Sequence, residues 1–276
     1  MNTRNFGGMA RSPGINVGMI VRVTLATFAV VGSLVMAYVL INGGHKARAV
    51  GTTITTLGQP LGEALDTQGH LWVAEQGTTS QPTGYIGEFT LATPLSKSVQ
   101  TPLPTTSGYS APAFLALDAS GNVWFTEPAT GEIGELSGTT FQNFPVLTRR
   151  SAPTDLTFDS NGNIWFTEQN GNNIGFLNVK TKQVVETAVV PPAPASPTKV
   201  APYGIINVGG EIWFTASKQP VLGRFHPTPT GTITINYITT KANPHLLASD
   251  SSGNIWFSEG ANDSIGEYSA TTKRIQ

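Results

Sequence analysis

Cysteine is absent from the 276-residue chain, which excludes a disulfide framework, thiolate metal sites and cysteine nucleophiles. Charge is scarce: 12% of residues are Asp, Glu, Lys or Arg and the formal net charge is -1. There is no basic stripe of the kind that neutralises nucleic-acid phosphates, so no nucleic-acid partner is expected. Neither a glycine-rich phosphate loop nor a G-x-S-x-G elbow occurs, which removes the nucleotide-cradle and serine-triad readings. What the chain has in abundance is Gly (30) and Pro (19), set between short runs of Trp, Phe, Val, Ile and Thr. That is the composition of many strands joined by turns.

The first segment differs from the rest. Residues 1–22 carry Arg4, Arg11 and Arg22 without an acidic residue, and residues 23–41, "VTLATFAVVGSLVMAYVLI", carry no charge. At 1.5 Å per residue such a run in a helix crosses a hydrocarbon core of roughly 30 Å. Residues 23–41 are therefore expected to form one hydrophobic helix, either an uncleaved anchor or a signal segment cut near Ala47 and Ala49. Residues 42–53 form a linker. Both readings put residues 54–276 outside the cytoplasmic membrane, with the arginines inside.

Self-similarity organises the remainder. All five tryptophans lie in one motif, "LWVAEQ", "VWFTEP", "IWFTEQ", "IWFTAS" and "IWFSEG", at Trp72, Trp124, Trp165, Trp213 and Trp256. A proline precedes each by eleven or twelve positions (Pro60, Pro112, Pro153, Pro202, Pro244), and a glycine by three. An Ile-Gly or Leu-Gly pair follows at Ile86, Ile133, Ile174, Leu222 and Ile265. Each copy reads as a strand after the proline, a turn such as "DSNGN", the Trp strand, a strand from the Ile-Gly pair, and a fourth. Four strands in forty-odd residues is the pattern of a β-propeller blade, with the aromatics as packing between blades. An all-β propeller of five visible blades is expected over residues 54–276. "ITTLG" at Ile54 aligns with a lone fourth strand, and "KRIQ" stops just inside another. This is the arrangement of a ring closed by pairing its N-terminal strand into the last blade, or of a shortened chain.

The runs "GNVWFTEPATGEIGEL", "GNIWFTEQNGNNIGFL" and "GNIWFSEGANDSIGEY", with "APYGI" and "NPHLL", resemble the virginiamycin B (streptogramin B) lyase family. That family usually has seven blades. The resemblance implies a Mg²⁺-assisted elimination that opens a cyclic depsipeptide at its ester. Such chemistry suits a histidine base for the α-proton and carboxylates holding the cation against the enolate. Carried over by position, His245 takes the histidine slot after the proline and Glu259 the carboxylate slot after "WF". The slot is Leu61, Ala113, Thr154 and Tyr203 in the other copies, and Asn243 stands where the family's Glu-Pro-His step has glutamate.

Two readings of Glu259 stand together: a metal ligand, or a loop-holding carboxylate like Glu75, Glu127 and Glu168 at the same position. His245 is the candidate catalytic residue, the alternative being an ordinary surface histidine. His45, His70 and His226 have no partner at ligand spacing. The loops "LTRRSAP", "VVPPAPASPTKVAPYG" and "TTKANPH" place Arg149, Arg150, Lys199, Tyr203 and Lys241 on the rim beside His245, with Tyr203 and Lys241 as candidate substrate contacts. The functional expectation is a lyase-like enzyme on a cyclic ester or lactone, acting as a monomer on a small-molecule or cyclic-peptide ligand at the propeller mouth. The alternative is a non-catalytic extracytoplasmic binding propeller.

Overall fold

A computed structural model describes residues 33–38, 50–78, 80–90, 96–104, 110–192, 199–260 and 263–276. Ser33–Tyr38 (β1) pairs antiparallel with Val50–Thr55 (β2). This corrects the helix expected over residues 23–41 for the part that is described; the rest of that run, and Ala47 and Ala49, lie outside the described residues. An uninterrupted apolar run has no periodicity with which to separate strand from helix. Among the described residues no helix is long and apolar enough to cross a membrane.

Five four-stranded antiparallel sheets follow. The first blade is Gln59–Leu65 (β3), His70–Gln76 (β4), Tyr85–Thr90 (β5) and Ser96–Pro102 (β6). The second is Leu115–Leu117 (β7), Val123–Glu127 (β8), Glu132–Ser137 (β9) and Thr140–Pro145 (β10). The third is Pro153–Phe158 (β11), Ile164–Glu168 (β12), Asn173–Leu177 (β13) and Val184–Ala188 (β14). The fourth is Pro202–Val208 (β15), Glu211–Ala216 (β16), Val221–Phe225 (β17) and Asn236–Thr239 (β18). The fifth is Leu247–Ser249 (β19), Ile255–Glu259 (β20), Ser264–Ser269 (β21) and Arg274–Ile275 (β22). The strand around Ile54 does not complete the fifth blade, as its expected closure required. β22 already fills that fourth position, and β2 pairs instead with its sequence neighbour β1, a shorter and so less costly loop to close.

The core lies between blades, not within them. In the second, third and fourth blades the Trp strand turns its indole, and the next strand its Ile or Leu, toward the following blade. That blade answers with its Phe: Trp124 and Ile133 pack on Ile164 and Phe166, Trp165 and Ile174 on Ile212 and Phe214, and Trp213 and Leu222 on Ile255 and Phe257. The turn aspartate six residues before the tryptophan fixes the ring. Asp66, Asp118, Asp159 and Asp250 each accept the indole N–H at 3.1–3.2 Å and two backbone N–H groups of their own turn. At Asp118 burial works against ionisation. Hydrogen bonds from the Asn122 amide, the Trp124 indole and the turn backbone outweigh it and hold the carboxyl below the ordinary aspartate value.

Candidate functional site

In three of the five blades the residue after the proline sits in a β-bulge. In β3, β11 and β15 the register shifts so that two residues face one on the Trp strand: Leu61 and Gly62 oppose Ala74, Thr154 and Asp155 oppose Thr167, and Tyr203 and Gly204 oppose Thr215. A bulge leaves one backbone N–H outside the ladder and re-aims a side chain. The hydroxyl two residues after the tryptophan takes that N–H: Thr126 from Phe114, Thr167 from Asp155, Thr215 from Gly204, and Ser258 from Leu246. The same hydroxyl donates to the next blade's carbonyl: Thr126 to Thr154, Thr167 to Tyr203, and Thr215 to His245. One side chain therefore fixes the bulge of its own blade and the slot residue of its neighbour.

The segments that enter the inner strands bring three rings together. The Tyr203 and His245 rings lie 5.6 Å apart, and the Phe114 edge meets Tyr203 at 6.3 Å. Phe114 belongs to the second blade and Tyr203 to the fourth, so they meet across the third, where the inner strands converge. His245 is exposed, its ring over Gly260. Among the described residues neither its ring nitrogens nor the Tyr203 hydroxyl makes a hydrogen bond. Burial, and then the Asp155 carboxylate, push the Tyr203 phenol above its ordinary value. Asp155 is itself buried and accepts the N–H groups of Leu156 and Ile205. The structure thus joins two of the expected site residues, His245 and Tyr203, and adds Phe114. That residue carried no sequence signal, because its position in the bulge is not polar.

Glu259 and Lys241 are placed differently. Glu259 is 3% exposed, and its two oxygens accept the N–H groups of Lys241 and Ala242 and the Ser264 hydroxyl. Glu75 takes Leu57 N–H and Gly58 N–H, Glu127 the Ser110 hydroxyl, and Glu168 the Ser151 hydroxyl. In four of the five blades this carboxylate ties down the segment that enters the inner strand, and in the fourth blade Ala216 takes its place. Lys241 is linked to Glu259 through its backbone, while its side chain is exposed and forms no ion pair among the described residues. Lys199 donates to the Asn170 carbonyl. The rim is also strained: Arg150, Ala152 and Ala201 have φ between 51° and 58°, the latter two directly before Pro153 and Pro202. At the other end His70 meets Asp66 at 2.8 Å and Glu88 at 3.4 Å, partners that spacing along the chain had not indicated.

Mg²⁺ asks for several oxygen donors around one point. Among the described residues no three His, Asp or Glu side chains converge, Asn243 replaces an acid, and the Glu259 oxygens hold backbone. The described residues do not make a Mg²⁺ donor set.

Fold and site together define a β-propeller of four-stranded blades with the Tyr203 and His245 rings adjacent at the convergence of its inner strands. The model of the virginiamycin B lyase family matches residues 66–276, and the chain belongs to that family. Among solved structures it is similar to a catalytically inactive histidine-to-alanine variant of virginiamycin B lyase from Staphylococcus aureus with quinupristin. The TM-score is 0.66 at 23% identity, covering 83% of this chain and 73% of that one. A streptogramin B lyase matches with TM-score 0.63 at 26% identity, over 79% and 68% of the two chains. The periplasmic gluconolactonase of Pseudomonas aeruginosa shares the fold alone, with TM-score 0.66 at 13% identity over 83% and 72%. No curated protein matches the chain by sequence.

Proposed function

We propose that the protein opens a cyclic depsipeptide ester by elimination, with His245 as the base. The observation that carries this reading is an exposed imidazole with both nitrogens unengaged among the described residues, held at the mouth by its backbone carbonyl through Thr215. A neutral imidazole nitrogen can take the proton α to the carbonyl of the residue whose Cβ carries the ester oxygen. The electron pair then forms the Cα=Cβ bond, the Cβ–O bond breaks, and the ester oxygen leaves as a carboxylate. Two further facts support the reading: the chain's family, and a relative whose histidine-to-alanine form is described as catalytically inactive in a structure with quinupristin. The exposed Lys241 on the same rim is suited to holding a peptide carbonyl. The uncharged residues 23–41 behind three arginines support an extracytoplasmic placement.

The test is opening of a streptogramin B-type depsipeptide by the full chain, with and without Mg²⁺. Turnover is expected in the parent, with a loss of about 10²-fold or more in His245→Ala. A parent that binds the depsipeptide and leaves it intact in both conditions would establish a binding propeller instead.

A further inference from the structure

Resting on that reading, we propose that Tyr203 is the catalytic electrophile: its phenol donates a hydrogen bond to the substrate carbonyl oxygen as the enolate develops. The tyrosine occupies the slot of the fourth blade that His245 occupies in the fifth. Both are set by the same device, a slot carbonyl that accepts a threonine hydroxyl from the preceding blade. The two rings are adjacent at 5.6 Å, and the Phe114 ring meets Tyr203 at 6.3 Å, nearly perpendicular to it. A base for the α-proton and a donor for the neighbouring carbonyl must stand side by side, because the two atoms they serve are separated by a single carbon.

The alternatives around the ring do not offer this chemistry. The slot is Leu61 in the first blade and Ala113 in the second. In the third, Thr154 is buried and its hydroxyl donates to the Ala152 carbonyl. Among the described residues Tyr203 alone in these slots presents a hydroxyl with no hydrogen-bond partner. Burial, and then the Asp155 carboxylate, itself tied to Leu156 N–H and Ile205 N–H, disfavour ionisation of the phenol and so keep it a donor. A neutral acid kept protonated beside an enolate stabilises it through a bond that strengthens as charge builds on the oxygen. In the balanced step the α-proton passes to His245, Cα=Cβ forms, Cβ–O breaks with its electron pair on the leaving carboxylate, and Tyr203 keeps its proton throughout.

The test compares parent and Tyr203→Phe, a change that preserves the ring packing on Phe114 and His245, on the same depsipeptide in EDTA and in Mg²⁺. The expected result is parent turnover that persists in EDTA, with kcat lower by about 10²–10³-fold in Tyr203→Phe and KM within about threefold. Binding of the intact depsipeptide, measured by calorimetry in His245→Ala and in His245→Ala/Tyr203→Phe, should agree within about the same factor. Parent turnover that Tyr203→Phe matches overturns the inference and leaves the lyase reading standing. So does activity abolished by EDTA and restored by Mg²⁺ equally in both proteins, or a loss confined to binding. A parent without turnover in either condition overturns both.

Discussion

At Glu168 burial and charge oppose each other within one side chain. The residue is fully buried, and burial chiefly raises its carboxyl from 4.5 to about 7. Hydrogen bonds from Asn173 and Ser151 pull the other way, and the nearby Glu186 carboxylate adds to the rise. The folded chain holds this proton more tightly than the unfolded one. Its contribution to stability is therefore complete below about 4.5 and is lost as pH rises through about 7. Glu168→Gln keeps the shape without the ionisation, so the variant should melt above the parent at pH ~8 and flatten the decline in Tm between pH ~5 and ~8. Melting curves with equal pH slopes for the two proteins would contradict this. That a glutamate recurs after "WF" is visible in the sequence. That Glu168 faces the Glu186 carboxylate is not, because Glu186 comes from the outermost strand, β14.

The element that makes blades stackable is the crossing of the Phe of the second strand over the Gly of the third. A Cβ on Gly134, Gly175, Gly223 or Gly266 would overlap the ring of Phe125, Phe166, Phe214 or Phe257. The pairing Phe166↔Gly175 lies in the middle of β12 and β13, where neither backbone can retreat without breaking the ladder. Gly175→Ala is expected to cost about 1–3 kcal/mol through overpacking, measured by chemical denaturation. A cost under about 0.5 kcal/mol would show that the ring has room to turn aside. The Ile-Gly pair is legible as a repeat mark. Its purpose is not, since a glycine in a strand signals a close approach without saying by what.

For the whole molecule, the same motif has different worth in different blades. Trp165 is fully buried between the third and fourth blades, whereas Trp256 is 37% exposed and Ile265, the counterpart of the buried Ile174, is 74% exposed. Trp165→Ala should therefore destabilise by about 3–5 kcal/mol, as for a large core truncation, and Trp256→Ala by less than half of that. In single-tryptophan variants, acrylamide should quench Trp256 much more strongly than Trp165. Equal losses of stability would mean that the fifth blade is covered as well as the third.

The sequence by itself determined the blades. Strand alternation, turn chemistry and the Trp-Phe register are local, repeat five times, and leave few alternatives to stacked four-stranded sheets. It also singled out His245 as the departure from the other slots. Only the tertiary structure decided that Phe114 and Tyr203 meet across the third blade and that Tyr203 stands beside His245. It also decided that the Glu259 oxygens hold backbone and that β2 pairs with β1 and not with the last blade. These facts depend on how far each blade rotates from the one before and on which N–H groups each bulge leaves unpaired. Such properties arise between repeats and leave no periodic trace along the chain.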